Sequence, residues 1–350
     1  MIFNEAVTSV TRTYIVPKVF DTVSKGTPSL MNFLRKAKSW KTGVAYQSPI
    51  KYADTTNGGN TGIADKLDTD RQNVRTQMTF YPKMAYKPVV TALIEETLNQ
   101  GEEQVVELVE AEFDSQAQSL IQLMGQNLFT GNGSGNSWDS FRNAADDGST
   151  YPVYGGLSRT AYPTLDGFYL PSAGALTLAK LATGHDAVSV GMDQPTQIFT
   201  TKSIWSSYES LLTPTVRANY VTTGYPRANE YGMVPAGQSF GGVQGFEYLM
   251  FRGTPFIKDE QIPSGELYFN NENYFSFKGI NVKGMKQMNF KKLSNGVPEG
   301  VPGRVPSTKG FNFRDFMTPI DQLANIGFVI YSGNFISENP RTLGLFTGAN

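Results

Sequence analysis

One helical stripe of apolar and small residues dominates the first half of the chain. Its members recur about every 3.8 positions, a helical period and longer than the 3.5 of a coiled-coil heptad. They are Ile94, Leu98, Gly101, Val105, Val109, Phe113, Ala117, Leu120, Met124 and Leu128. Thr91 is placed to cap this helix, and Gly131 and Gly133 are placed to end it. The pattern predicts a helix over about residues 91–130, roughly 60 Å long at 1.5 Å per residue. Such a length implies an elongated molecule or a large assembly.

The chain before this stripe alternates apolar and polar residues, as strands do. The segments GVAYQSPIKY (43–52) and VRTQMTFYPKMAYKP (74–88) carry the alternation. The stretch between them is rich in Gly, Asn, Asp and Thr, which favour turns. We therefore expect a long two-stranded hairpin across 42–87 with a flexible tip. An isolated hairpin is marginally stable in water, so this one needs a partner surface. Residues 28–38 predict a short helix ahead of it.

The second half of the chain mixes short helices and strands. Residues 131–157 predict a loop or a weak hairpin, and 158–249 predict a compact α/β unit. Within that unit we expect a helix at about 172–182, a strand Gln197–Thr200 and a helix Lys202–Leu211. Short strands follow up to about residue 290, then a Pro/Gly-rich loop at 293–310. The segment NIGFVIYSGNFISENPR (325–341) predicts a long final strand from its β-branched and aromatic content.

Charge is balanced overall and uneven along the chain. The 350 residues carry 30 Lys and Arg against 31 Asp and Glu, a net charge of −1, which argues against a free-standing nucleic-acid binder. Residues 1–87 nevertheless have 13 basic and 6 acidic side chains, whereas residues 88–141 have 9 acids and no Lys or Arg. A basic front therefore precedes an acidic segment. Charged residues make up only 17% of the chain, below the usual ~25%.

The absence of cysteine and the single histidine exclude several classes of chemistry. No disulfide framework, zinc finger, iron–sulfur cluster or cysteine nucleophile is possible. No apolar run approaches the roughly 18 residues of a membrane span. The opening MIFNEAVTSV lacks the basic start and apolar run of a signal peptide. We expect a protein made in a reducing cytoplasm, with no membrane partner.

The candidate catalytic residues do not assemble into a recognised motif. His185 is followed by Asp186, but no G-x-S-x-G elbow is present, so we expect a solvated histidine in a turn after a helix. The glycines from Gly131 to Gly135 follow a helix, which favours helix termination over dinucleotide binding. The acidic cluster Asp65–Asp70 fails the calcium-loop spacing. Carboxylates paired only in space, as in glycosidases, stay open.

The basic run 35–41, RKAKSWK, raises the question of nucleic-acid contact. The run is short, so a solvated or partner-facing helix end is the favoured interpretation. Because none of these candidate motifs is complete, the sequence predicts no catalytic residues, no cofactor and no metal.

The order of these segments resembles the major capsid proteins of tailed bacteriophages, the HK97-like fold. The stretches that carry the resemblance are LFTGNGSGN (128–136), VYGGL (153–157), FRGTPFIKDEQIPSGELYFNNENYFSF (251–277) and PIDQLANIGFVIYSGNFISENPRTLGLF (319–346). The resemblance covers nearly the whole chain. It implies an α+β fold with an N-terminal arm (1–39), an extended hairpin or E-loop (40–88), a peripheral domain with the spine helix and terminal strand (89–157 and 278–350) and an axial domain (158–277).

The resemblance also implies a function and partners. The chain would assemble with itself into the hexamers and pentamers of an icosahedral shell that encloses double-stranded DNA without sequence specificity. Portal, scaffold or decoration proteins would be further partners, and the protein would be found in the virion after assembly in the host cytoplasm. Two alternatives are an encapsulin-like compartment, which encloses enzymes, and a soluble enzyme with an α/β core.

Complementary charge suggests which surfaces meet. A hairpin this long would project away from its own helix, so the simplest placement lays it over the helix of a neighbour. The basic candidates for this inter-subunit contact are Lys51, Lys66, Arg71, Arg75, Lys83 and Lys87. The acidic candidates are Glu95, Glu96, Glu102, Glu103, Glu107, Glu110 and Glu112.

Overall fold

The structure is a computed structural model, and it describes residues 26–40, 43–63, 66–67, 69–98, 108–212, 249–287, 310–320 and 322–349. Its helices are α1 (Pro28–Arg35), α2 (Leu93–Leu98), α3 (Leu108–Thr130), α4 (Phe141–Ala145), α5 (Leu178–Val188) and α6 (Lys202–Leu211). Its first strands are β1 (Lys38–Ser39), β2 (Tyr46–Lys51), β3 (Arg75–Phe80), β4 (Lys83–Ala92), β5 (Val153–Tyr154), β6 (Leu157–Ser158), β7 (Phe168–Leu170) and β8 (Gln197–Thr200). The remaining strands are β9 (Leu249–Phe251), β10 (Thr254–Lys258), β11 (Leu267–Asn270), β12 (Phe275–Gly279), β13 (Lys286–Gln287), β14 (Phe311–Met317), β15 (Ala324–Ser337) and β16 (Gly344–Phe346).

The first sheet is built around β15, the long strand that the sequence predicts. Antiparallel pairing with β4 runs over ten residues, from Ala92 opposite Ala324 to Lys83 opposite Gly333. β14 and β12 also pair with β15, and β1 and β13 extend the sheet beyond them. The strand β14 was not predicted. The expectation that residues 83–88 continue the hairpin was wrong, because their backbone pairs with β15 instead.

The second sheet has the strand order β7-β16-β11-β8-β10-β9. The strand Gln197–Thr200 and the helix Lys202–Leu211 are confirmed with the predicted bounds. Strand pairing differs from the predicted division at two places. β12 (275–279) pairs with β15 of the first sheet, and β16 (344–346) pairs with β11 and β7 of the second. The chain therefore crosses between the two sheets at its C-terminal end.

The predicted spine helix is present in part, as α2 and α3, and residues 99–107 lie outside the described part. The cap predicted at Thr91 was wrong, because Thr91 lies in β4 opposite Asn325 and the helix begins at Leu93. In α3 the stripe is buried: Ala117, Leu120, Met124 and Leu128 are at most 2% exposed. Ile94, the first member of the stripe, differs from these because it is 73% exposed. It lies in the first turn of α2, just beyond the end of the β4–β15 pairing.

The helix predicted at 172–182 begins later, at Leu178. Thr177 caps it by accepting a hydrogen bond from the Lys180 N–H at 3.2 Å. Residues before the cap are held in a non-helical turn, with positive φ at Ser172 and Gly174 and with the Ala173 N–H donating to the Thr347 carbonyl at 2.7 Å. His185 therefore lies in α5 and is 4% exposed, so the prediction of a solvated turn histidine was wrong. The predicted loop at 131–157 contains the short helix α4 and the β5–β6 hairpin.

Arg159 binds several backbone carbonyls of α4 and of the segment between α4 and β7. Its side chain is 1% exposed, and its guanidinium donates to the backbone carbonyls of Asn143, Ala144, Asp146 and Leu165. Burial lowers the pKa of Arg159 from its ordinary value, an effect that nearby acids oppose. Buried carbonyl groups without partners are costly, so one cation satisfies four of them at once.

We expect Arg159→Met to destabilise the fold by about 3 kcal/mol, because it keeps the side-chain stem and leaves those carbonyls unpaired. Chemical unfolding would measure the change. The control is Arg252→Met, which removes a half-exposed guanidinium paired with Asp186. That variant should lose at most about 1 kcal/mol. Equal losses for the two variants would contradict the assigned role of Arg159.

Asp259 caps α1 from a distant part of the chain. Its buried carboxylate accepts hydrogen bonds from the Ser29 N–H at 3.0 Å and the Gln261 N–H at 2.8 Å. Thr27, the residue at the cap position, makes no side-chain cap bond. Burial raises the pKa of Asp259 to about 6, although those hydrogen bonds act in the opposite direction. The protonated form therefore suits the folded state better than the charged form does.

This raised pKa makes the stability pH-dependent. The contribution is fully present below the unfolded pKa near 3.8 and is lost as the pH rises through about 6. We expect up to about 3 kcal/mol of the unfolding free energy to be lost between pH 4 and pH 7.5 through this group. Urea unfolding across that range should show a shallower pH dependence for Asp259→Asn. Identical pH profiles for the two proteins would contradict the prediction.

Candidate assembly surfaces

The predicted hairpin is present and its regular part is short. β2 and β3 pair in antiparallel register from Tyr46 opposite Phe80 to Lys51 opposite Arg75. Beyond them the chain forms a tip, defined here as residues 52–74, with no strand among its described residues. The Tyr52 N–H donates to the Val74 carbonyl at 3.0 Å, and Tyr52 also packs edge-on against Tyr162 at 5.0 Å. A backbone hydrogen bond and a ring contact therefore hold the first residue of the tip in place.

The β5–β6 turn fixes the base of the hairpin by packing and by a backbone bond. The rings of Phe80 and Tyr154 meet edge to face at 5.3 Å, and both side chains are buried. The Thr79 N–H donates to the Gly155 carbonyl at 2.8 Å. The Tyr154 hydroxyl in turn accepts a hydrogen bond from the Ser337 N–H at 2.9 Å. The hairpin is thus tied to the end of β15.

A charged network fixes the other strand of the base. The Glu338 carboxylate accepts hydrogen bonds from the Tyr46 hydroxyl at 2.8 Å and from the buried Lys278 ammonium at 2.9 Å. Burial acts to raise the pKa of Glu338, but these two donors and the nearby cations outweigh it and leave the pKa below its ordinary value. Burial and the Glu338 carboxylate raise the pKa of Tyr46 to about 12. Glu338 is therefore ionised and Tyr46 neutral at neutral pH, as this network requires.

The six basic candidates fall into two groups. Lys51, Lys66, Arg71 and Arg75 lie on the hairpin with exposed side chains, and Lys51 forms an ion pair with the neighbouring Asp54. The other two, Lys83 and Lys87, lie in β4 and are half-buried. Lys83 donates to the Gly135 carbonyl of its own chain. The hairpin proper therefore presents four of the six predicted cations.

The acidic candidates are only partly described. Glu95 is exposed in α2, and Glu112 accepts a hydrogen bond from Gln116 at 2.8 Å in α3. Glu96 and Glu110 belong to these two helices, whereas Glu102, Glu103 and Glu107 lie outside the described residues. In the part of the chain that the structure describes, no ion pair joins the basic set to the acidic set. The predicted contact between them stays a prediction about different subunits.

Sequence reasoning missed a set of exposed apolar side chains. Ile63 and Leu67 stand on the hairpin tip, fully and largely exposed. At the far end of the first sheet, away from the hairpin, the exposed residues are Val90, Ile94, Met317, Ile320 and Leu323. The alternation in KMAYKPVV (83–90) carried part of this signal. β4 buries Ala85 and Val89 on one face and exposes Met84, Tyr86 and Val90 on the other.

The other candidate groups are structural or unassigned. Among the described residues no hydrogen bond reaches either ring nitrogen of His185, whose Nδ1 lies 3.9 Å from the Asp186 carboxylate. Burial lowers its pKa. Trp40, in the basic run, packs its ring against Tyr46 at 5.8 Å. Of the predicted acidic cluster, Asp70 is described and exposed, whereas Asp65 and Asp68 are not described. No group of metal-binding side chains occurs among the described residues, and no described helix is long and apolar enough to cross a membrane.

Solved structures give the comparison that sequence does not. Neither a family model nor a curated protein sequence matches the chain. A chain of the cyanophage A-1(L) capsid asymmetric unit superposes with a TM-score of 0.74 at 14% identity, covering 99% of both chains. The capsid of a native GTA particle gives 0.59 at 8% identity, covering 98% of this chain and 96% of that one. The chain has the HK97-like capsid fold.

An encapsulin is also similar to this chain. The holo-SrpI encapsulin complex from Synechococcus elongatus PCC 7942 gives a TM-score of 0.53 at 12% identity, covering 100% of this chain and 96% of that one. The chain is thus similar in fold both to a phage capsid chain and to an encapsulin. We use the name E-loop below for β2, β3 and the tip, which lie within residues 40–88.

Two adjacent glycines offer a test of how the E-loop base is held. Gly155 and Gly156 both have positive φ, +56° and +77°, so alanine at either position costs a similar backbone strain. A Cβ on Gly155 would lie 2.7 Å from the Met78 Cβ, whereas a Cβ on Gly156 meets nothing within 4 Å.

We expect Gly155→Ala, but not Gly156→Ala, to displace β3. Hydrogen exchange of the Thr79 amide, which donates to Gly155, should become faster in the first variant and stay near the wild-type rate in the second. Equal exchange in both variants would show that strain in the turn, and not contact with β3, determines the effect.

Proposed function

We propose that this chain is the major capsid protein of a tailed bacteriophage, which assembles with itself into an icosahedral shell around double-stranded DNA. The observation that carries the proposal is the superposition on the cyanophage capsid chain over 99% of both chains. The E-loop supports it independently. It has a rigidly anchored base and a tip that exposes Ile63 and Leu67, so its apolar surface needs a partner from outside the subunit.

The E-loop of one subunit meets the acidic spine segment of a neighbour in this proposal. Lys51, Lys66, Arg71 and Arg75 supply exposed positive charge, and α2 and α3 supply the acids. Each exposed ion pair contributes only about 0–1 kcal/mol. A shell repeats the contact in every subunit, so small terms decide between free subunits and particles. The apolar tip adds burial that salt does not screen.

The proposal extends to partners and location. The subunits form hexamers and pentamers, and portal, scaffold or decoration proteins complete the head. The shell confines DNA without reading its sequence, which suits a net charge of −1. Assembly takes place in the host cytoplasm and the product is the virion. The chain works as a structural protein and not as an enzyme, with an N-terminal arm, E-loop, peripheral domain and axial domain.

The second candidate function is an encapsulin-like compartment, favoured by the similarity to the SrpI encapsulin. The contents of purified particles separate the two: DNA in particles from infected cells supports a phage shell, and a packaged enzyme supports a compartment.

A soluble monomeric enzyme is the third alternative. Light scattering and negative-stain microscopy of the expressed chain test it, since we expect megadalton shells and a monomer would overturn the proposal.

Reversing the charge of the E-loop tests the electrostatic part. We expect the variant with Lys51, Lys66, Arg71 and Arg75 all changed to Glu to fold normally and fail to form shells. Because salt screens exposed charges beyond about 10 Å at 0.1 M, wild-type assembly should also weaken at high salt before the subunit unfolds. Circular dichroism reports folding and sedimentation reports assembly.

The matched control exchanges Lys for Arg and Arg for Lys at the same four positions, which keeps every charge. That variant should assemble like the wild type. Normal shells from the reversed variant at low salt would remove electrostatics from the mechanism. The apolar and backbone contacts of the E-loop would then have to hold the neighbours together.

A further inference from the structure

Asparagine followed by glycine is the sequence most open to a spontaneous backbone reaction. The glycine nitrogen can attack the side-chain amide of the preceding Asn, because glycine brings no side chain into the way and tolerates the required backbone angles. The described residues contain Asn57–Gly58 and Asn132–Gly133. A further pair, Asn295–Gly296, lies outside them. The two described pairs share a sequence and differ in environment.

Around Asn57 the structure leaves the nucleophile available. The Gly58 N–H has no hydrogen-bond partner in the described part of the chain, and a Cβ built on Gly58 would meet nothing within 4 Å. The φ of Gly58 is +102°, a region open to glycine. The Asn57 Oδ1 accepts a hydrogen bond from the Gln72 side-chain amide. That donor lies on the oxygen where negative charge develops during attack. Asn132 has a comparable donor in the Ser134 N–H, so the two sites differ in the glycine nitrogen and not in this contact.

Around Asn132 the same pair is restrained. The Gly133 N–H donates to the Trp138 carbonyl at 3.0 Å, and the Asn132 N–H donates to the Ser137 hydroxyl at 3.1 Å. The Asn132 Oδ1 accepts from the Ser134 N–H at 3.0 Å. A Cβ on Gly133 would lie 2.4 Å from the Asp139 Oδ1, so the loop is closely surrounded. Attack here requires breaking a native hydrogen bond and moving a packed loop.

We propose that Asn57 is a site of spontaneous deamidation in the E-loop tip and that Asn132 is protected from it. The Gly58 nitrogen forms a bond to the Asn57 Cγ as the bond from Cγ to the side-chain Nδ2 breaks. Water carries the proton that the Gly58 nitrogen loses to the departing nitrogen, which leaves as ammonia. The product is a cyclic succinimide. Water then opens either carbonyl of the ring and leaves aspartate or isoaspartate at position 57. The net change is the addition of one water and the loss of one ammonia, with no oxidation or reduction.

The reaction changes how the tip is held. The Asn57 Nδ2 donates to the Asp70 carbonyl oxygen at 2.7 Å and so ties the two sides of the tip together. A carboxylate has no hydrogen to donate and repels that oxygen, so this tie is lost. The new negative charge also lies in a segment whose exposed charges include Lys66 and Arg71. Deamidation therefore loosens the tip, whatever the function of the E-loop.

Peptide mapping of the purified full-length chain tests the proposal. The chain is incubated at mildly alkaline pH and digested with trypsin, which releases residues 52–66 because Lys51 and Lys66 bound them. Fragment spectra then separate Asn57 from Asn60. We expect Asn57 to deamidate on the order of tenfold faster than Asn132, the factor that about 1.4 kcal/mol gives. Isoaspartate should accompany aspartate, which marks the succinimide route.

Two controls keep the result interpretable. In urea the two sites should react at similar rates, because both are Asn–Gly pairs once the fold is lost. Gly58→Ala should slow the native reaction at Asn57 without slowing the background at Asn132. Equal native rates at the two sites, or no isoaspartate at Asn57, would overturn the proposal. Hydrogen exchange of Asn57→Asp should show a tip that opens faster than in the wild type, and an unchanged tip would overturn its structural part.

Discussion

Backbone pairing along β15 is the constraint on which the rest of the structure depends. This strand pairs with β4 over ten residues and also with β14 and β12, so it carries the first sheet. Its last residues reach other parts of the molecule. Asn334 donates to the Asp139 carboxylate at 2.6 Å, and the Ser337 N–H donates to the Tyr154 hydroxyl. Glu338, directly after the strand, binds Lys278 and Tyr46. The strand also packs against α3, so β15 holds the spine helix, the loop after it and the base of the E-loop in a fixed relation.

The free edge of β4 is protected against the addition of another strand. Among the described residues β4 pairs only with β15, which leaves its other edge unpaired. Pro88 lies within β4 and has no N–H to donate, and proline in an edge strand discourages the addition of another strand. Association through side chains is thereby favoured over association through this edge. The exposed apolar residues of the E-loop tip, together with its cations, are suited to a specific contact of that kind.

Local pattern predicted the elements whose residues need only their own neighbours. Gln197–Thr200 and Lys202–Leu211 were predicted with their observed bounds, because Thr201 ends the strand and caps the helix by accepting from the Ile204 N–H. The apolar stripe of α3 was also predicted, from its helical period. The pairing of β4 with β15 was not, since it joins residues far apart in sequence. The burial of His185, whose ring packs against Phe251 of the second sheet, also depends on residues far apart in sequence. The exposure of Ile94 depends on where the β4–β15 pairing ends. The basic charge of the E-loop could be predicted from the sequence. The exposed apolar residues of its tip could not, because they lie in a stretch whose composition predicts a polar turn.

The central claim is that a rigidly based E-loop delivers its tip to a neighbouring subunit. A cryo-EM reconstruction of particles assembled from the purified chain tests it most directly. The account predicts a closed shell in which β2 and β3 keep their contacts with the β5–β6 turn of their own chain, while residues 52–74 contact the acidic helices of another. A shell whose tips rest on their own subunit or extend into solvent would contradict this account, as would a chain that forms no particle.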